Sequence, residues 1–430
     1  MKKQTARPSP KKREGDSLWL FKVRGAGPVD RVLVALILVI QLFGLVMLFS
    51  VSYPSAYSQY EDSFHYIRSQ AFFAVFGLSV MWVASYFRYR YLWALRWVIY
   101  FFTMALLVAV FFFTPPDEVA GYHRWFYIGG STFQPSEIAK FSLTVICAYL
   151  GAKYYKKIRS SRFWGRATVF GVLVFIAVIV PYLGLVALEP HLSATVILLC
   201  IGIAVMYAAG LDGRWCALGV LVAGAGLTLV LLVMNQPEHP ISQTLLSMLP
   251  EHAQPRIQLW KDPFSDPLGD GMQTVQGLYA IGSGGWTGLG IGSSRQKYLW
   301  VPEPYNDFIF AIVCEELGFI GALVILGLFA ALVVRMYWIS MRCPDRFGSL
   351  LGVGLATQIG VQVFFNVGVV TNLLPNTGIS LPFFSYGGTS LVMLLGQMGI
   401  MLAISRTVPR QKETASESSS MQAQQKEETT

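Results

Sequence analysis

Hydrophobic residues recur along the chain in long runs that short polar segments separate. A bilayer-spanning helix needs about 20 predominantly apolar residues, and about ten runs reach or approach that length. The pattern therefore predicts an all-α polytopic membrane protein with about ten transmembrane helices. We place them at residues 32–52, 69–87, 93–113, 135–152, 168–187, 192–210, 215–234, 307–334, 348–374 and 387–405.

Polar segments divide the chain further. Residues 1–31 form a predicted N-terminal tail, 32–406 the transmembrane domain, and 407–430 a disordered tail. The connection 235–306, between predicted helices 7 and 8, has 72 residues, and structureless loops above about 15 residues are uncommon unless functional. It contains a glycine cluster and two apolar stretches, 242–249 and 275–281, which we interpret as lying at the membrane surface.

Composition and charge support a membrane protein and orient it. Of the residues, 54% are hydrophobic and 13% charged, with a mean hydropathy of +0.51, whereas soluble domains carry roughly 25% charged residues. With the N-terminus inside, the inner segments hold 26 Lys and Arg residues and the outer loops six. Because cytoplasmic loops are enriched in these residues, we expect both termini to be cytoplasmic and the long loop extracytoplasmic. The net charge of +9 then reflects topology, not nucleic-acid binding.

Cysteine and histidine positions give no sign of a metal site. The five cysteines fall in predicted spans or on the inner side, so we expect no disulfides. No two histidines have the His-x-x-x-His spacing typical of zinc ligands.

Asp307 is the strongest candidate for chemistry. It stands at the end of the long loop, where the apolar run 307–334 begins. A partly desolvated carboxylate has a raised affinity for protons and can act as a general base. An acid at the start of a helix can equally be a capping or dipole-stabilising residue, and position alone leaves both interpretations open.

Two further carboxylate motifs lie in or near apolar segments. Glu137 and Lys140 are three residues apart near the outer end of a span, so they form either a structural ion pair or part of a substrate cavity wall. Glu315 and Glu316 lie about two turns into another span, where adjacent side chains point about 100° apart. We expect them to have separate roles, with one meeting a buried cation such as Lys140 or an arginine.

The remaining candidates would bind an anionic lipid substrate at the outer surface. Cations of the long loop suit a diphosphate, although general attraction to lipid headgroups explains them as well; they are Arg256, Lys261, Arg295 and Lys297. Trp125 and the turn containing Ser385 and Tyr386 complete the set. Taken alone, Trp125 and this turn are explained by packing as well as by substrate binding.

Taken together, these motifs resemble the SEDS family of shape, elongation, division and sporulation proteins (FtsW, RodA and SpoVE). The resemblance covers about 32–406, and Arg295-Gln296-Lys297 and Pro302-Glu303-Pro304 are more similar to FtsW and SpoVE than to RodA. The matching elements are Trp125, Gln134-Pro135-Ser136-Glu137 with Lys140, Arg256-Ile257, Asp262-Pro263, Asp266-Pro267-Leu268-Gly269, Gly282-Ser283-Gly284-Gly285, the run Ser294 to Pro304, Asp307-Phe308-Ile309-Phe310, Glu315-Glu316-Leu317-Gly318 and Ser385-Tyr386-Gly387-Gly388.

The resemblance implies a peptidoglycan glycosyltransferase of the bacterial cytoplasmic membrane. Such proteins polymerise lipid II on the outer face and work with a class B penicillin-binding protein and other divisome proteins. The family's essential aspartate falls on Asp307, its tryptophan on Trp125, and its charge pair on Glu137 and Lys140.

Two segments depart from the family pattern. Tyr305-Asn306 stands where His-Thr is usual. Glu189-Pro190-His191 stands where Gln-Pro-Asp is usual.

Mechanistically, we expect Asp307 to activate the acceptor sugar hydroxyl and the reaction to invert a lipid-diphosphate donor. Loop cations or a divalent ion, Mg or Mn, would stabilise the leaving group; the sequence does not decide between them. Two other functions stay open: a lipid II flippase or transporter, since intramembrane charges suit a polar path, and a non-catalytic division scaffold.

Overall fold

Long helices dominate the computed structural model, which describes residues 27–113, 125–128, 131–159, 165–189, 192–215, 217–219, 221, 259–269, 271–298 and 300–409. The long helices are α1 (Arg31–Tyr60), α2 (His65–Tyr86), α3 (Tyr91–Phe113), α4 (Pro135–Arg159), α5 (Arg166–Leu188), α6 (Leu192–Ala208), α7 (Met272–Gly284), α8 (Ile309–Arg342), α9 (Arg346–Val370) and α10 (Gly388–Ser405). The strands β1 (Phe126–Ile128) and β2 (Ser131–Phe133) pair as an antiparallel hairpin.

Seven described helices are long and apolar enough to cross a membrane, namely α1, α2, α3, α5, α8, α9 and α10. Helix α6 is apolar but shorter, and α4 carries the Glu137–Lys140 pair in its first turns. The predicted span 215–234 lies almost wholly outside the described residues. The prediction of about ten helices therefore stays a prediction.

Helix α9 is at the centre of the bundle and packs against α4, α6 and α8. Most of its side chains are buried. Helices α2 and α3 lie further out and present large apolar side chains such as Phe72, Val83 and Phe112 to the surroundings. This distribution is the one expected of a bundle whose outer surface faces lipid.

The ends of the described chain meet at one end of the bundle. The Gly27 amide donates to the Arg406 carbonyl at 2.9 Å, and the Arg335 guanidinium holds the Asp30 carboxylate with two hydrogen bonds. Asp307, at the start of α8, lies at the other end.

Helix α8 is interrupted at Gly318, whose φ of 67° and ψ of −173° are not helical. Glycine adopts such a φ without strain, whereas other residues rarely do. A Cβ at Gly318 would also lie 2.3 Å from the amide nitrogen of Gly288, and a Cβ at Gly288 would lie 2.2 Å from the Glu316 carbonyl oxygen. The helix and the segment 285–298 therefore meet backbone to backbone.

Four backbone hydrogen bonds cross this contact and replace those that an unbroken helix would make. They are Leu289 N–H to Glu315 O (3.0 Å), Gly290 N–H to Glu316 O (3.0 Å), Phe319 N–H to Gly285 O (2.9 Å) and Ile320 N–H to Trp286 O (3.1 Å). Lipid offers no hydrogen bonds in compensation, so irregular backbone at membrane depth persists only where the protein satisfies it.

The long loop is therefore re-entrant. Helix α7 packs along the first turns of α8, and Gly318 follows Asp307 by eleven residues, about 15 Å along a helix. The stretch 275–281, which we predicted to lie at the membrane surface, belongs to α7, and its Val275 and Ala280 are buried. Tyr279 of the same stretch is exposed, and the location of the stretch at the membrane surface stays a prediction.

Both buried glutamates of α8 hold this re-entrant segment. Glu316 forms an ion pair with Lys297 at 2.7 Å, and both side chains are fully enclosed. The hydroxyl of Ser50 on α1 donates to the same carboxylate at 2.6 Å. Glu315 accepts hydrogen bonds from the Ser294 hydroxyl and, at 2.9 Å, from the Arg295 amide. The two glutamates therefore have separate partners, as predicted, and the buried cation is Lys297 instead of Lys140 or an arginine.

We expect Lys297→Met to lower the free energy of unfolding by about 3–5 kcal/mol, because the variant leaves the Glu316 charge buried and unpaired. Thermal unfolding of the purified protein in detergent measures the change. In the double variant Lys297→Met/Glu316→Gln most of the loss should be regained, since no charge remains. The exposed neighbour Arg295→Met is the control and should change stability by less than about 0.5 kcal/mol. A loss from Lys297→Met as small as that of the control would contradict a structural ion pair.

Candidate active site

The Asp307 carboxylate lies half-buried at the entrance to α8. Its Oδ1 atom accepts a hydrogen bond from the Gln273 side-chain amide at 3.2 Å. Gln273 lies in the first turn of α7 and donates to the Pro302 carbonyl as well, also at 3.2 Å. The re-entrant segment thus delivers a hydrogen-bond donor to the carboxylate from one side.

The N-cap position of α8 is occupied by Phe308, and no side chain caps this helix. Asn306, next to Asp307, donates instead to the exposed Glu303 carboxylate at 2.8 Å. The capping alternative for Asp307 therefore finds no support in the geometry of the helix start.

A buried amide fixes the backbone at Asp307. The Asn366 side chain, on α9, donates to the Asp307 carbonyl at 2.7 Å and to the Ile379 carbonyl at 2.6 Å. It thereby joins the start of α8 to the connection between α9 and α10. The sequence pattern did not identify Asn366 or Gln273 as site residues. The only signal for either was that Asn366 is an asparagine within an apolar span.

Tyr305 anchors the loop before Asp307 to the rest of the bundle. Its ring packs on that of Tyr66 with 4.4 Å between centroids, and the two hydroxyls are 2.9 Å apart. Its backbone carbonyl accepts from the Tyr386 amide at 2.9 Å. Burial raises the pKa of the Tyr305 hydroxyl, so the side chain stays neutral. One unusual residue before Asp307 therefore belongs to a buried tyrosine cluster.

Ser385, Tyr386 and Trp125 lie at the same end of the bundle. The Ser385 hydroxyl accepts from the Leu381 amide at 2.7 Å and shapes the turn before α10. Trp125 immediately precedes the hairpin, which is tied to α10 where the Thr389 hydroxyl donates to the Thr132 carbonyl at 2.8 Å.

Glu137 and Lys140 form an ion pair of 2.7 Å on α4, and Lys140 is almost fully enclosed. The Lys140 ammonium also lies 3.5 Å from the Gln362 side-chain oxygen on α9. Glu137, Gln362 and Ser385 line a small cleft at this point. The pair is therefore an ion pair and a cavity wall at once, so geometry alone does not separate the two interpretations.

The predicted cations have different environments. Arg295 is exposed. Lys297 is enclosed and committed to Glu316, so we do not carry it into a diphosphate site. Arg256 lies outside the described residues, as do Pro190 and His191. Glu189 is fully buried where α5 ends.

No three His, Cys, Asp or Glu side chains converge as a metal site within the part of the chain that the structure describes. At Asp307, Gln273 presents its N–H group and not its oxygen. The use of a divalent ion stays a prediction, and we derive no catalytic step through one.

A helical bundle with seven described helices long and apolar enough to cross a membrane defines a class, that of polytopic membrane proteins. The chain belongs to the FtsW/RodA/SpoVE family, whose model, described as "Cell cycle protein", matches residues 30–410. This confirms the resemblance inferred from the motifs.

Similar proteins carry names from cell division and sporulation. Stage V sporulation protein E of Bacillus subtilis is 36% identical over 382 residues, covering 88% of this chain and 97% of its own. A protein of the same organism named "Probable peptidoglycan glycosyltransferase FtsW" is 34% identical over 370 residues, covering 85% and 88%.

Solved structures share the fold. A chain from a peptidoglycan synthase complex that coordinates polymerization and crosslinking matches with a TM-score of 0.68 and 28% identity, covering 88% of this chain and 98% of its own. The rod shape-determining protein RodA of Thermus thermophilus matches with a TM-score of 0.62 and 24% identity, covering 89% and 98%. The all-α polytopic membrane fold is thereby confirmed.

We expect Tyr305→Phe to cost about 1 kcal/mol at neutral pH, the size of one buried hydrogen bond. Because the pKa of Tyr305 is raised in the folded state, its contribution to stability is complete below the unfolded pKa of about 10 and falls as the pH rises beyond it. The difference in melting temperature between the two proteins should therefore narrow above pH 10. Thermal unfolding between pH 7 and 11 tests this. Tyr279→Phe, at an exposed tyrosine, is the control; a difference that widens with pH would contradict the assignment.

Proposed function

We propose that this protein is a peptidoglycan glycosyltransferase that polymerises lipid II into β-1,4-linked glycan strands. The observation that carries the proposal is Asp307: a half-buried carboxylate, held by Gln273 and fixed through its backbone by Asn366. Relatives that match over most of this chain are named as glycosyltransferases of this kind. General bases are positioned in this way, because the carboxylate must be both oriented and accessible.

Asp307 acts as the base in a direct displacement. Its carboxylate takes the proton of the 4-hydroxyl of the acceptor GlcNAc while that oxygen bonds to the anomeric carbon of the donor MurNAc. The bond from this carbon to the diphosphate oxygen breaks, and undecaprenyl diphosphate departs with the electron pair. Attack opposite the leaving group inverts the α-linked donor to a β linkage. The hydrogen bond from Gln273 to Oδ1 orients the carboxylate for this proton transfer.

Cations of the long loop stabilise the departing diphosphate. Arg295 is exposed and lies two residues before the buried Lys297, and Arg256 belongs to the same loop. A guanidinium group binds phosphate oxygens with two parallel hydrogen bonds. Trp125, Ser385 and Tyr386 contact the sugar or peptide portion of the substrate from the hairpin and the turn before α10.

The site faces the extracytoplasmic side of the bacterial cytoplasmic membrane. The excess of Lys and Arg on the opposite side supports this orientation, as does the contact between Gly27 and Arg406, which puts both chain ends together. Residues 1–31 and 407–430 are then cytoplasmic tails, 32–406 the membrane domain and 235–306 an extracytoplasmic loop.

The protein works with a class B penicillin-binding protein, which crosslinks the strands, and with lipid II, membrane lipids and other divisome proteins. The matching chain from a synthase complex that coordinates polymerization and crosslinking supports such a partnership.

A flippase or a scaffold would use the same fold differently. Both lysines that are buried in the described bundle are closed into ion pairs, Lys140 with Glu137 and Lys297 with Glu316, and paired charges do not form a continuous polar path. A scaffold would not need an oriented carboxylate at all.

Asp307→Asn should lower the rate of lipid II polymerisation by about 10²–10⁴-fold, the usual contribution of a general base. The assay uses the purified complex with the penicillin-binding protein, fluorescent lipid II and gel analysis of glycan strands. Glu303→Gln is the matched control, an exposed carboxylate four residues away, and should polymerise normally. Undiminished polymerisation by Asp307→Asn would contradict the proposal. Scrambling of lipid II in liposomes without formation of polymer would favour a flippase. A cell in which Asp307→Asn replaces the original protein without any defect would favour a scaffold.

The double variant Glu137→Gln/Lys140→Met separates structure from substrate binding at the cleft. Lys140→Met alone leaves an unpaired, nearly buried carboxylate and should destabilise the protein. The double variant should regain the melting temperature but polymerise at least about tenfold more slowly, since the loss of a hydrogen bond to a charged group costs about 1.5–3 kcal/mol. Recovery of both properties would show that the pair is only structural.

A further inference from the structure

Three hydrogen bonds connect Asp307 to the connection between α9 and α10. The Gln273 side-chain N–H donates to Asp307 Oδ1 at 3.2 Å, and the Asn376 N–H donates to the Gln273 oxygen at 3.0 Å. The backbone amide of Gly378 donates to the Asn376 oxygen at 3.3 Å. Two neutral amides thus lie in series between a backbone N–H group and the proposed base.

The backbone amide sets the direction of the whole series. A side-chain amide can present either its oxygen or its nitrogen, whereas a backbone N–H can only donate. The Gly378 amide therefore favours the Asn376 oxygen as its partner, which turns the Asn376 nitrogen toward Gln273. Gln273 must then offer its oxygen to Asn376 and its nitrogen to Asp307.

The Gln273 amide has no alternative arrangement with equal bonding. Its nitrogen serves Asp307 and the Pro302 carbonyl, both at 3.2 Å, and its oxygen serves Asn376. A reversed amide would set its oxygen against two acceptors and its nitrogen against a donor. Each misdirected group at a partly buried site loses a hydrogen bond.

We propose that Asn376 is a positioning residue that acts through Gln273 to keep the Asp307 carboxylate oriented and ionised for proton transfer. This inference rests on the role of Asp307 as the base. Asn376 touches neither Asp307 nor the reacting atoms. A hydrogen bond donated to a carboxylate favours its charged form, and the series guarantees that a donor, not an acceptor, faces Asp307.

The charged and titratable groups around Asp307 come from several elements. Its own loop carries Glu303 and Tyr305, and the segment 259–269 carries Lys261, Asp262 and Asp266. Helix α7 and the connection 371–387 contain no charged residue but each holds one titratable residue, Tyr279 and Tyr386, and α9 contributes the neutral Asn366. Arg256 lies outside the described residues. All of these groups stay constant in the variants below, so a change between variants reports the amide series.

The test measures kcat, KM and the pH–rate profile of lipid II polymerisation by the complex with its penicillin-binding protein. Gln273→Met should lower kcat about tenfold, the size of one hydrogen bond to a charged group, and move the acidic midpoint upward by about one pH unit. Asn376→Leu should also lower kcat and raise the acidic midpoint, but by smaller amounts, with kcat falling about threefold by the same reasoning. KM should stay constant for both variants.

A double-mutant cycle shows whether Asn376 acts through Gln273. In the Gln273→Met background, Asn376→Leu should have no further effect, since its target is gone. Gln273→Glu is a second variant that keeps the volume and the acceptor for Asn376 while adding a charge beside Asp307, and should raise the midpoint further than Gln273→Met. Thr377→Val, on the neighbouring residue, is the control and should leave the profile unchanged.

The failure of this inference differs from the failure of the proposed function. The positioning role is overturned if the effects of Asn376→Leu and Gln273→Met are additive, or if neither variant moves the acidic midpoint. In that case Asp307 is still the base as long as Asp307→Asn is inactive. If Asp307→Asn polymerises normally, the base itself is overturned, and the positioning role falls with it.

Discussion

The rest of the site depends on the requirement that backbone groups inside a membrane find partners within the protein. Helix α8 breaks at Gly318, and the freed groups bond to the segment 285–290. The buried pair of Lys297 and Glu316 fastens the same contact to α1 through Ser50. Because the break is satisfied only by the re-entrant segment, the bundle and the loop form one structure. The loop is therefore part of the scaffold and not an appendage of it.

This arrangement explains how a loop residue becomes a precise site. Loops carry function but are mobile unless anchored. Here Asp307 is held from three directions: Gln273 from the re-entrant helix, Asn366 from the central helix, and Tyr305 from the tyrosine cluster at α2. Two neutral amides and one phenol do this work.

The sequence predicts local features well and distant ones poorly. Hydrophobic runs located the spans, and the spacing of Glu137 and Lys140 made an ion pair on one helix foreseeable, since residues three apart share a face. Lys297 could not be paired with Glu316 in advance, because loop residues have no fixed period, and the third partner, Ser50, lies 266 residues before Glu316. Gln273 and Asn376 look like ordinary polar residues. Only the folded structure brings Gln273 to Asp307 and Asn376 to Gln273.

The order of residues along the chain also sets the order of assembly. The re-entrant segment precedes α8 and therefore emerges first, before its partners Glu315 and Glu316 exist in folded form. Helix α1, which supplies Ser50, is already in place by then. Two carboxylates thus enter the bilayer with α8 toward a waiting hydroxyl and ammonium group. The contacts of the re-entrant segment are therefore complete only once α8 is present, and the surroundings of the carboxylate at its entrance depend on the same helix.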